Sequence, residues 1–553
     1  MEKISTNFIL ELPLKVEQWQ YDLLDKRFET LRKIYNSLLS KFSHRYYEMS
    51  KMKEYKEIND KLFSLGKRKE IREEMKEVAK VFGKKSEQYQ ELVEKLESLK
   101  NNNGLDESEK TALNERRNQI IQSFDLSEKY IYGNKDKGVG WKMSKKYIDE
   151  GINGYIFRML CYRNVWKSIN GLFSNKKIHF KKYGEFNTIY GQPMSKVPQG
   201  IKYRDGNIII TKFGKLVNGK RQDLILPLKN KRLNEYEAEC LNNTILYLGV
   251  TRKFIRGKFR YYVQFTIKGL IPSKINKETG KFRTIGHGDV GLDIGTSSLA
   301  IVSDKNVELV ELADKAQPNE HKIRLIQRKL DRSRRKNNPN KFNEDGTINR
   351  GNRDKWVVSK NYIKLKNKLR DYQRKLAAIR KMQHEILANN ILSMGDNIYI
   401  ETMRWKGLQK RAKETTISES GRINKKKRFG HTIGNRAPSM FMTILDNKLK
   451  AYNLELNKIN TNRCKASQYN HILKEFNKKP LSARWSILSD EDKIQRDLYS
   501  AFLIQNVNEN KDGFNDDKIN QRYNTFKSLH DAEIERLSKC PKKLLSSMGI
   551  KKK

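Results

Sequence analysis

A short apolar stretch with a single acid inside it constrains the fold of this chain more than any other feature. Residues 290–302 read Val-Gly-Leu-Asp-Ile-Gly-Thr-Ser-Ser-Leu-Ala-Ile-Val. This pattern predicts an apolar strand, a Gly-Thr turn and a second apolar strand that runs back. Asp293 lies in the first strand. Because a carboxylate in a buried strand is costly unless it meets a cation or a hydrogen-bond donor, Asp293 is the first candidate functional residue.

Two later acids lie in related settings. Residues 397–401, Asn-Ile-Tyr-Ile-Glu, predict a short strand that ends at Glu401. Residues 494–504, Ile-Gln-Arg-Asp-Leu-Tyr-Ser-Ala-Phe-Leu-Ile, predict an amphipathic helix that Asp497 opens. Taken alone, Glu401 is equally compatible with an exposed acid at a strand end, and Asp497 with an ordinary helix-start acid. Taken together, the three positions match a two-metal nuclease site.

The chemistry of such a site needs these residue types. Mg²⁺ binds carboxylate oxygens and leaves room for a substrate phosphate, and Mn²⁺ accepts the same ligands. Two such ions about 4 Å apart activate an attacking water and stabilise the departing oxygen of a phosphodiester. Without metal, the three carboxylates repel one another, so we expect raised pKa values and weakened stability at this site.

The charge of the chain points to a polyanionic partner. Its 553 residues contain 114 Lys and Arg against 65 Asp and Glu, a net charge of +49. Hydrophobic residues make up 37% and aromatic residues 10%, which favours a folded protein of roughly two to four domains over a disordered basic tail. Nucleic acid is therefore the expected partner, and a merely very soluble basic protein is the alternative.

The cysteine, histidine and hydropathy patterns give no sign of a disulfide framework, a zinc motif, a membrane span or a signal peptide. The four cysteines, Cys161, Cys240, Cys464 and Cys540, contain no close pair, and the histidines show no His-x-x-x-His spacing. No apolar run approaches a membrane span, and the N-terminus lacks the apolar core of a signal peptide. We expect a prokaryotic cytoplasmic protein without membrane contact, associated with the nucleoid when it is bound to DNA.

The predicted fold class is multidomain α/β. Residues 1–14 predict the first strand of a small β-barrel domain completed by residues 173–286, and residues 15–172 predict an α-helical domain. Residues 287–508 return to a mixed α/β pattern. Residues 509–553 predict a basic tail with a helix at 519–538 and disorder in the last dozen residues.

A strongly basic segment lies between the first two acids. Residues 321–381 contain 21 Lys and Arg against 5 Asp and Glu, and a long helix is predicted from about 358 to 393. Contacts to the phosphate backbone supply most nucleic-acid affinity, so this segment favours such contacts over a plain solvated face.

An actin-like ATPase or sugar kinase is the alternative from a different class, because Asp-Ile-Gly-Thr after an apolar strand is similar to the first phosphate loop of those enzymes. They need further glycine-rich phosphate loops in the second half, and residues 400–510 contain no convincing one. Nor does that activity explain the net charge.

The ordered set of motifs resembles a known family. Asp293 in Gly-Leu-Asp-Ile-Gly, Glu401 in Ile-Tyr-Ile-Glu and Asp497 in Gln-Arg-Asp-Leu-Tyr-Ser-Ala-Phe-Leu-Ile resemble the three motifs of the split RuvC nuclease domain, which is RNase H-like. The set is that of the transposon-encoded TnpB proteins and the compact type V CRISPR effectors. Further similarities are the basic run 324–330, Asn435-Arg436 opening a helix, residues 478–485 and the N-terminal run 31–36.

The resemblance implies an RNA-guided DNA endonuclease with two Mg²⁺ or Mn²⁺ ions. The β-barrel wedge domain and the helical recognition domain would hold a guide RNA, as a monomer or as a dimer on one RNA. Base pairing would select double-stranded DNA beside a short flanking motif, and the RuvC-like domain would cut the displaced single strand. An RNA-guided binder without cleavage is the alternative. Expected nucleic-acid contacts are Trp141, Lys142, Arg324, Arg328, Arg332, Arg334 and Arg335.

One departure from the family concerns zinc. Relatives usually carry two Cys-x-x-Cys pairs between the second and third motifs, whereas the corresponding insert, at about 462–492, contains only Cys464. Four soft ligands cannot be assembled from this stretch, so no zinc is expected. Packing of Phe476, Leu481 and Trp485 is expected to take the place of the metal.

Overall fold

A computed structural model describes the chain apart from residues 1–6, 82–86, 102–105, 134–137, 144, 192–199, 231, 276–278, 282, 412–413, 418–420, 422, 424–428, 479, 481, 490–491 and 551–553. The chain forms two compact units. The first contains Phe8–Phe254 and Phe259–Lys268, and the second contains Gly269–Lys553 with two short earlier segments. Both combine helices with sheets, so the predicted multidomain α/β class is confirmed. No described helix is long and apolar enough to cross a bilayer.

Helices dominate the first 173 residues. The helices of the first unit are α1 (Gln18–Lys51), α2 (Lys53–Phe63), α3 (Leu65–Val81), α4 (Glu87–Asn101), α5 (Glu107–Ser123), α6 (Glu128–Tyr132), α7 (Val139–Lys142), α8 (Gly154–Leu160), α9 (Lys167–Phe173) and α10 (Glu235–Leu241). Helix α1 begins with a capping box between Glu17 and Gln20. Its buried residues recur every three or four positions, including Leu24, Phe28 and Leu31, which gives the helix one apolar face.

The described strands of the first unit form three sheets. The strands are β1 (Asn7–Pro13), β2 (Thr188–Gly191), β3 (Ile201–Arg204), β4 (Asn207–Ile210), β5 (Leu216–Val217), β6 (Lys220–Arg221), β7 (Leu224–Pro227), β8 (Ile245–Ile255) and β9 (Lys258–Lys268). One sheet has the order β1-β9-β8-β2, a second has the order β3-β4-β7, and β5 pairs with β6. The N-terminal strand thus lies beside a strand from the far end of the unit. Closure of these sheets into a barrel stays a prediction.

A buried arginine joins helix α1 to the four-stranded sheet. Arg252 on β8 is 1% exposed, and its guanidinium lies 2.6 Å from Asp25 and 2.7 Å from Glu29. The Phe28 ring packs against the same guanidinium, 4.6 Å from ring centre to Cζ. A buried arginine that keeps two carboxylates and an aromatic face around it fixes the contact between helix and sheet.

The second unit is built on a five-stranded sheet. Its strands are β10 (Asp289–Ile294), β11 (Ser298–Ser303), β12 (Val307–Glu311), β13 (Asn397–Glu401) and β14 (Asn457–Ile459), followed by the short β15 (Tyr469–Asn470), β16 (Glu475–Phe476), β17 (Trp485–Ile487) and β18 (Lys493–Gln495). The sheet order is β12-β11-β10-β13-β14. The first three strands run antiparallel as a meander, and β13 and β14 lie parallel to β10. The predicted strand–turn–strand pattern at 290–302 corresponds to β10 and β11.

Helices cover both faces of this sheet. They are α11 (Glu320–Asn337), α12 (Lys360–Met394), α13 (Trp405–Leu408), α14 (Gly430–Arg436), α15 (Pro438–Lys450), α16 (Thr461–Cys464), α17 (Arg496–Gln505) and α18 (Asp516–Ser538). The long basic helix predicted at 358–393 is α12. The pair Asn435-Arg436 closes α14 instead of opening a helix, because Ala437 adopts a left-handed conformation and Pro438 starts α15.

Alternation along the strands separates two apolar layers. Val290, Leu292 and Ile294 of β10 pack in one cluster with residues of α12 and α15. On β11, Leu299 belongs to that cluster, whereas Ala300 belongs to a second cluster with residues of α17 and α18. Since neighbouring side chains on a strand point to opposite faces, Gly291 and Asp293 lie on the α17 face of β10.

The C-terminal segment, residues 509–550, is packed and ordered. The ring of Phe526 on α18 stacks on that of Phe502 on α17, with centroids 4.2 Å apart, and Met548 is 2% exposed. The expected disorder of the last dozen residues is therefore wrong for residues 542–550, because apolar side chains anchor them to the core. Lys551–Lys553 lie outside the described residues.

Candidate active site

The sheet register brings the first two acids to the same edge. Leu292 of β10 pairs with Ile400 of the parallel strand β13. Asp293 and Glu401 are the next residues of these two strands, so both lie at the carboxyl end of adjacent parallel strands. Ile400 packs in the α12 and α15 cluster and Tyr399 packs against the opposite one. Alternation therefore places Glu401 on the same face as Asp293, which is the face covered by α17.

Helix α17 brings the third acid to this edge because it approaches β10 closely at Gly291. A β-carbon at Gly291 would lie 2.0 Å from the carbonyl oxygen of Ala501 and 2.4 Å from the amide nitrogen of Gln505. Helix and strand run in opposite directions, since Ala501 and Gln505 lie at Gly291 and the side-chain amide of the later residue, Gln505, donates to the carbonyl oxygen of the earlier strand residue, Asp289, at 3.1 Å. The first turn of α17, which carries Asp497, therefore lies at the end of β10 that carries Asp293.

Electrostatic interactions link the three carboxyl groups. Burial, and then the negative charges of Asp497 and Glu401, raise the pKa of Asp293 well above its usual range. The guanidinium of Arg496 and the hydroxyl of Ser500 act on this pKa in the opposite direction. Burial raises the pKa of Glu401 to about 7. The site is thus a desolvated cluster of like charges, an arrangement typical of functional sites.

Arg496 is a cation in contact with the cluster. Its guanidinium lies 3.2 Å from Oδ1 of Asp497 and also donates to the carbonyl oxygen of Ala483 at 2.9 Å. This second bond fixes the guanidinium beside Asp497. One fixed cation offsets only part of the charge of three carboxylates, so the cluster has the composition that attracts further cations.

The donor chemistry suits Mg²⁺ or Mn²⁺, although the side chains are not arranged as finished ligands. Within the described ranges, no group of three or more His, Cys, Asp or Glu side chains is set to hold a metal ion. Carboxylate oxygens are the ligands that these hard cations prefer. Burial raises the pKa of both Asp293 and Glu401, and for Asp293 the neighbouring negative charges add to the shift, so a divalent ion would stabilise the ionised forms. Asp293, Glu401 and Asp497 are the residues that would hold it.

The raised pKa of Glu401 predicts how stability depends on pH. Between its unperturbed value of 4.5 and about 7, folded Glu401 keeps a proton that the unfolded chain has lost. Raising the pH through this window therefore favours unfolding of the metal-free protein, by at most about 3 kcal/mol. Denaturant unfolding in EDTA at several pH values, in the wild type and in Glu401→Gln, measures the effect as a difference between the two proteins.

The comparison with Glu401→Gln is needed because burial lowers the pKa of His471 and His530, which titrate in the same range with the opposite sign. These histidines are present in both proteins and cancel in the difference. Mg²⁺ should reduce the pH dependence of this difference in stability between the two proteins. A difference that does not change with pH in EDTA would contradict the prediction.

The predicted contacts on α11 divide into two groups. Arg324, Arg328 and Arg332 are exposed and spaced four residues apart, so they share one side of the helix. Arg324 lies 3.5 Å from Glu320, whereas Arg328 and Arg332 have no ion-pair partner among the residues that the structure describes. Both arginines remain available for phosphate.

The last two arginines of α11 are engaged by neighbouring side chains. Asp331 lies 3.1 Å from the guanidinium of Arg334 and 2.8 Å from that of Arg335. The Arg335 guanidinium also lies 4.6 Å from the ring centre of Phe342, and that of Arg334 lies 5.5 Å from the ring centre of Trp356. Both groups support the loop after α11, so the sequence pattern did not separate free arginines from engaged ones.

Trp141 and Lys142 belong to α7 in the first unit. The ring of Trp141 is 37% exposed, and the Arg158 guanidinium lies 4.9 Å from its centre. An indole with a cation on it has the chemistry of a base-stacking position, and its role as a nucleic-acid contact stays a prediction.

The described residues of the insert form two short hairpins, β15 with β16 and β17 with β18, and the absence of zinc stays a prediction. The expected packing is only partly correct. Phe476 contacts Tyr469 but remains 51% exposed, and Leu481 lies outside the described residues. The Trp485 ring nitrogen donates to the Gly549 carbonyl at 2.8 Å. A buried polar contact also joins the insert to α17: the Tyr499 hydroxyl lies 2.7 Å from Nδ1 of His471.

Several residues that shape the site were not among those predicted from the sequence. Gly291 permits the approach of α17, Gln495 caps that helix, and Arg496 and Ser500 adjoin the acids. Cys464 also lies near the site, and burial together with the charge of Glu401 raises the pKa of its thiol to about 11. The glycine two residues before Asp293 was the available signal, since glycine inside a strand often marks close backbone approach.

Comparisons with known proteins find likeness only among solved structures. No protein-family model matches the sequence, and no curated protein matches it. A cryo-EM structure of the Cas12f1–sgRNA–target DNA complex is similar over 91% of this chain and 99% of that chain, with 12% identity and a TM-score of 0.39. A cryo-EM structure of a CRISPR–Cas12f ternary complex is similar over 73% of this chain and 86% of that chain, with 14% identity and a TM-score of 0.22. Both are compact type V effectors, the family that the sequence motifs resemble.

Proposed function

We propose that this chain is an RNA-guided DNA endonuclease. It binds a structured guide RNA, pairs that RNA with target DNA beside a short flanking motif, and hydrolyses phosphodiester bonds at one RuvC-like site. The observation that carries the nuclease part is the convergence of Asp293, Glu401 and Asp497 at one sheet edge, with the pKa values of two of them raised. The net charge of +49 and the motif resemblance support the nucleic-acid part.

The residues of the site have distinct tasks in this proposal. Asp293, Glu401 and Asp497 would supply the oxygens for two divalent ions, and the chemistry that such ions would supply is activation of a water and stabilisation of the departing 3′ oxygen. Because burial raises the pKa of Glu401 to about 7, this carboxyl is partly protonated at neutral pH, and it would lose that proton when it held an ion. Arg496 orients the Asp497 carboxylate through their 3.2 Å contact.

The exposed side of α11 is proposed as a track for the nucleic-acid backbone. Arg328 and Arg332 lie one helical turn apart on that side. The loop after α11 adds the exposed cations Arg350, Arg353 and Lys355, and Lys341 lies 5.3 Å from the ring centre of Trp356, which is 40% exposed. Cations beside an exposed indole suit a strand that presents both phosphates and bases. In such a complex base pairing selects the sequence, and the protein grips the backbone.

We expect Arg328→Gln with Arg332→Gln to weaken nucleic-acid binding in a salt-dependent way. Losing two phosphate contacts should reduce the slope of log K against log salt by about 1.8. Fluorescence anisotropy with protein freed of its own RNA, from low to moderate salt, measures this slope. The matched control is Arg334→Gln with Arg335→Gln, which removes the same charge from engaged positions. An equal loss of slope in both proteins would contradict the assignment.

The proposal as a whole is tested by the RNA that the protein carries. The full chain is purified from its host, the copurifying RNA is sequenced, and the complex is mixed with DNA matching the variable part of that RNA in Mg²⁺. Cleavage of matched but not of scrambled DNA is the expected result. Binding without cleavage would favour the guided binder. Cleavage that needs no RNA would leave a plain nuclease, and saturable ATP binding would favour the kinase class.

A further inference from the structure

Gln495 occupies a central position at the start of α17. Its side chain is fully buried, at 0% exposure, and its Oε1 accepts the amide proton of Leu498 at 2.7 Å. It is therefore the N-cap of the helix that carries Asp497 two residues later. The first amides of a helix have no partner within the helix, so whatever fixes the cap also fixes the first turn.

Two groups from the C-terminal segment hold Gln495. The amide nitrogen of Gln495 donates to Nε2 of His530 on α18 at 3.0 Å. Its side-chain nitrogen donates to the carbonyl oxygen of Met548 at 3.2 Å. A glutamine serves here where shorter capping residues are common, because its amide accepts from the helix and donates to the tail at once.

A neighbouring carboxylate sets His530 in the tautomer that this contact needs. Its Nδ1 lies 2.8 Å from the Asp531 carboxylate, which fixes the ring proton on Nδ1 and leaves Nε2 as an acceptor. Helix α18 itself is anchored, since Phe526 stacks on Phe502 and Glu533 accepts the Leu309 amide proton at 2.9 Å. The acceptor therefore belongs to an element tied to both α17 and the sheet.

The first amide within α17 is also satisfied from outside the helix. The Arg496 amide donates to the carbonyl oxygen of Arg484 at 3.0 Å. Arg484 precedes Trp485, whose ring nitrogen bonds to Gly549 in the tail. The start of α17 is thus held by the insert and the C-terminal segment together.

We propose that the C-terminal segment, through His530 and Met548, holds the Gln495 cap and thereby positions Asp497 in the candidate site. His530 and Gln495 are positioning residues, because neither contacts the acids. The inference rests on the proposed function for its consequence in catalysis. Its structural part, the coupling of residues 530 and 548 to the first turn of α17, stands without it.

The first test is amide hydrogen exchange on the metal-free full chain. His530→Leu removes the acceptor and Gln495→Met removes the cap, so each should speed exchange of amides 495–498 by about tenfold or more. Amides 502–504 in the same helix should change much less. His530→Gln should restore most of the protection because its side-chain oxygen can accept the bond. Ser528→Ala, at an exposed position of α18, is the control and should change nothing.

The second measurement is the Mg²⁺ concentration that gives half-maximal cleavage. A misplaced Asp497 should raise this concentration by about tenfold in His530→Leu, whereas simple loss of folded protein lowers only the maximum. His530→Gln should return it towards the wild-type value. Thermal unfolding confirms that each variant is folded at the assay temperature.

The outcomes separate the inference from the proposed function. Unchanged exchange at 495–498 in His530→Leu, or an equal change at 502–504, overturns the coupling. Faster exchange with an unchanged Mg²⁺ midpoint overturns the positioning of Asp497. A wild type that never cleaves matched DNA defeats the proposed function, and the exchange result then still decides the coupling.

Discussion

Asp293→Asn is expected to abolish cleavage while making the metal-free protein more stable. The substitution keeps the size of the side chain and removes one of the three carboxylates that would bind the ions. A loss of about 10³-fold or more in cleavage rate is expected, because the remaining residues of such a site cannot replace a ligand. Guide and target binding should stay within about twofold, since backbone and base-pairing contacts supply that affinity.

The gain in stability follows from the same electrostatics. In the folded state, burial and two neighbouring charges disfavour ionised Asp293, and the unfolded chain bears no such penalty. Asparagine removes the penalty, so its free energy of unfolding in EDTA near neutral pH should rise by about 1–3 kcal/mol. Excess Mg²⁺ should stabilise the wild type and not the variant.

Cleavage assays and denaturant unfolding on the same preparations test both expectations. Glu401→Gln and Asp497→Asn should each abolish cleavage as Asp293→Asn does. The control is Glu344→Gln in an exposed loop, which removes the same charge and should leave both quantities unchanged. A cleavage rate near that of the wild type in any of the three site variants would end the two-ion proposal.

Gly291→Ala is expected to disrupt the site through the backbone. The new β-carbon would meet the Ala501 carbonyl oxygen at 2.0 Å and the Gln505 amide nitrogen at 2.4 Å. Both atoms are main chain, so α17 as a whole must shift away from β10. Overpacking of this kind should cost about 3 kcal/mol or more, and the shift carries Asp497 away from Asp293. We expect a lower melting temperature and loss of cleavage in the fraction that remains folded.

Gly434→Ala is the matched control. Gly434 lies within α14, and a β-carbon there meets no atom within 4 Å. That change should be neutral or stabilise by up to about 1 kcal/mol. Adding Ala501→Gly to Gly291→Ala should not rescue the protein, because the clash is with the carbonyl oxygen and not with the side chain. A Gly291→Ala protein with the stability of the wild type would show that α17 does not depend on this approach.

Local patterns in the sequence determined the elements that carry the acids. Alternating apolar residues around Asp293 define β10, the short run before Glu401 defines β13, and the spacing after Asp497 defines α17. These patterns were readable because strand and helix periodicity depend only on neighbours in the chain. The basic character of α11 and α12 follows from composition in the same way.

Only the tertiary structure decided which residues act together. The parallel register of β10 and β13 places Asp293 beside Glu401, and the backbone contact at Gly291 brings in Asp497. The role of the C-terminal segment cannot be predicted from local sequence patterns either, because His530 contacts Gln495, which lies 35 residues earlier in the chain. A pairing over such a distance depends on how sheet and helices pack, and periodicity within one segment carries no record of that packing. The sequence alone therefore identified the three acids as candidates, whereas only the tertiary structure showed which groups hold them in place.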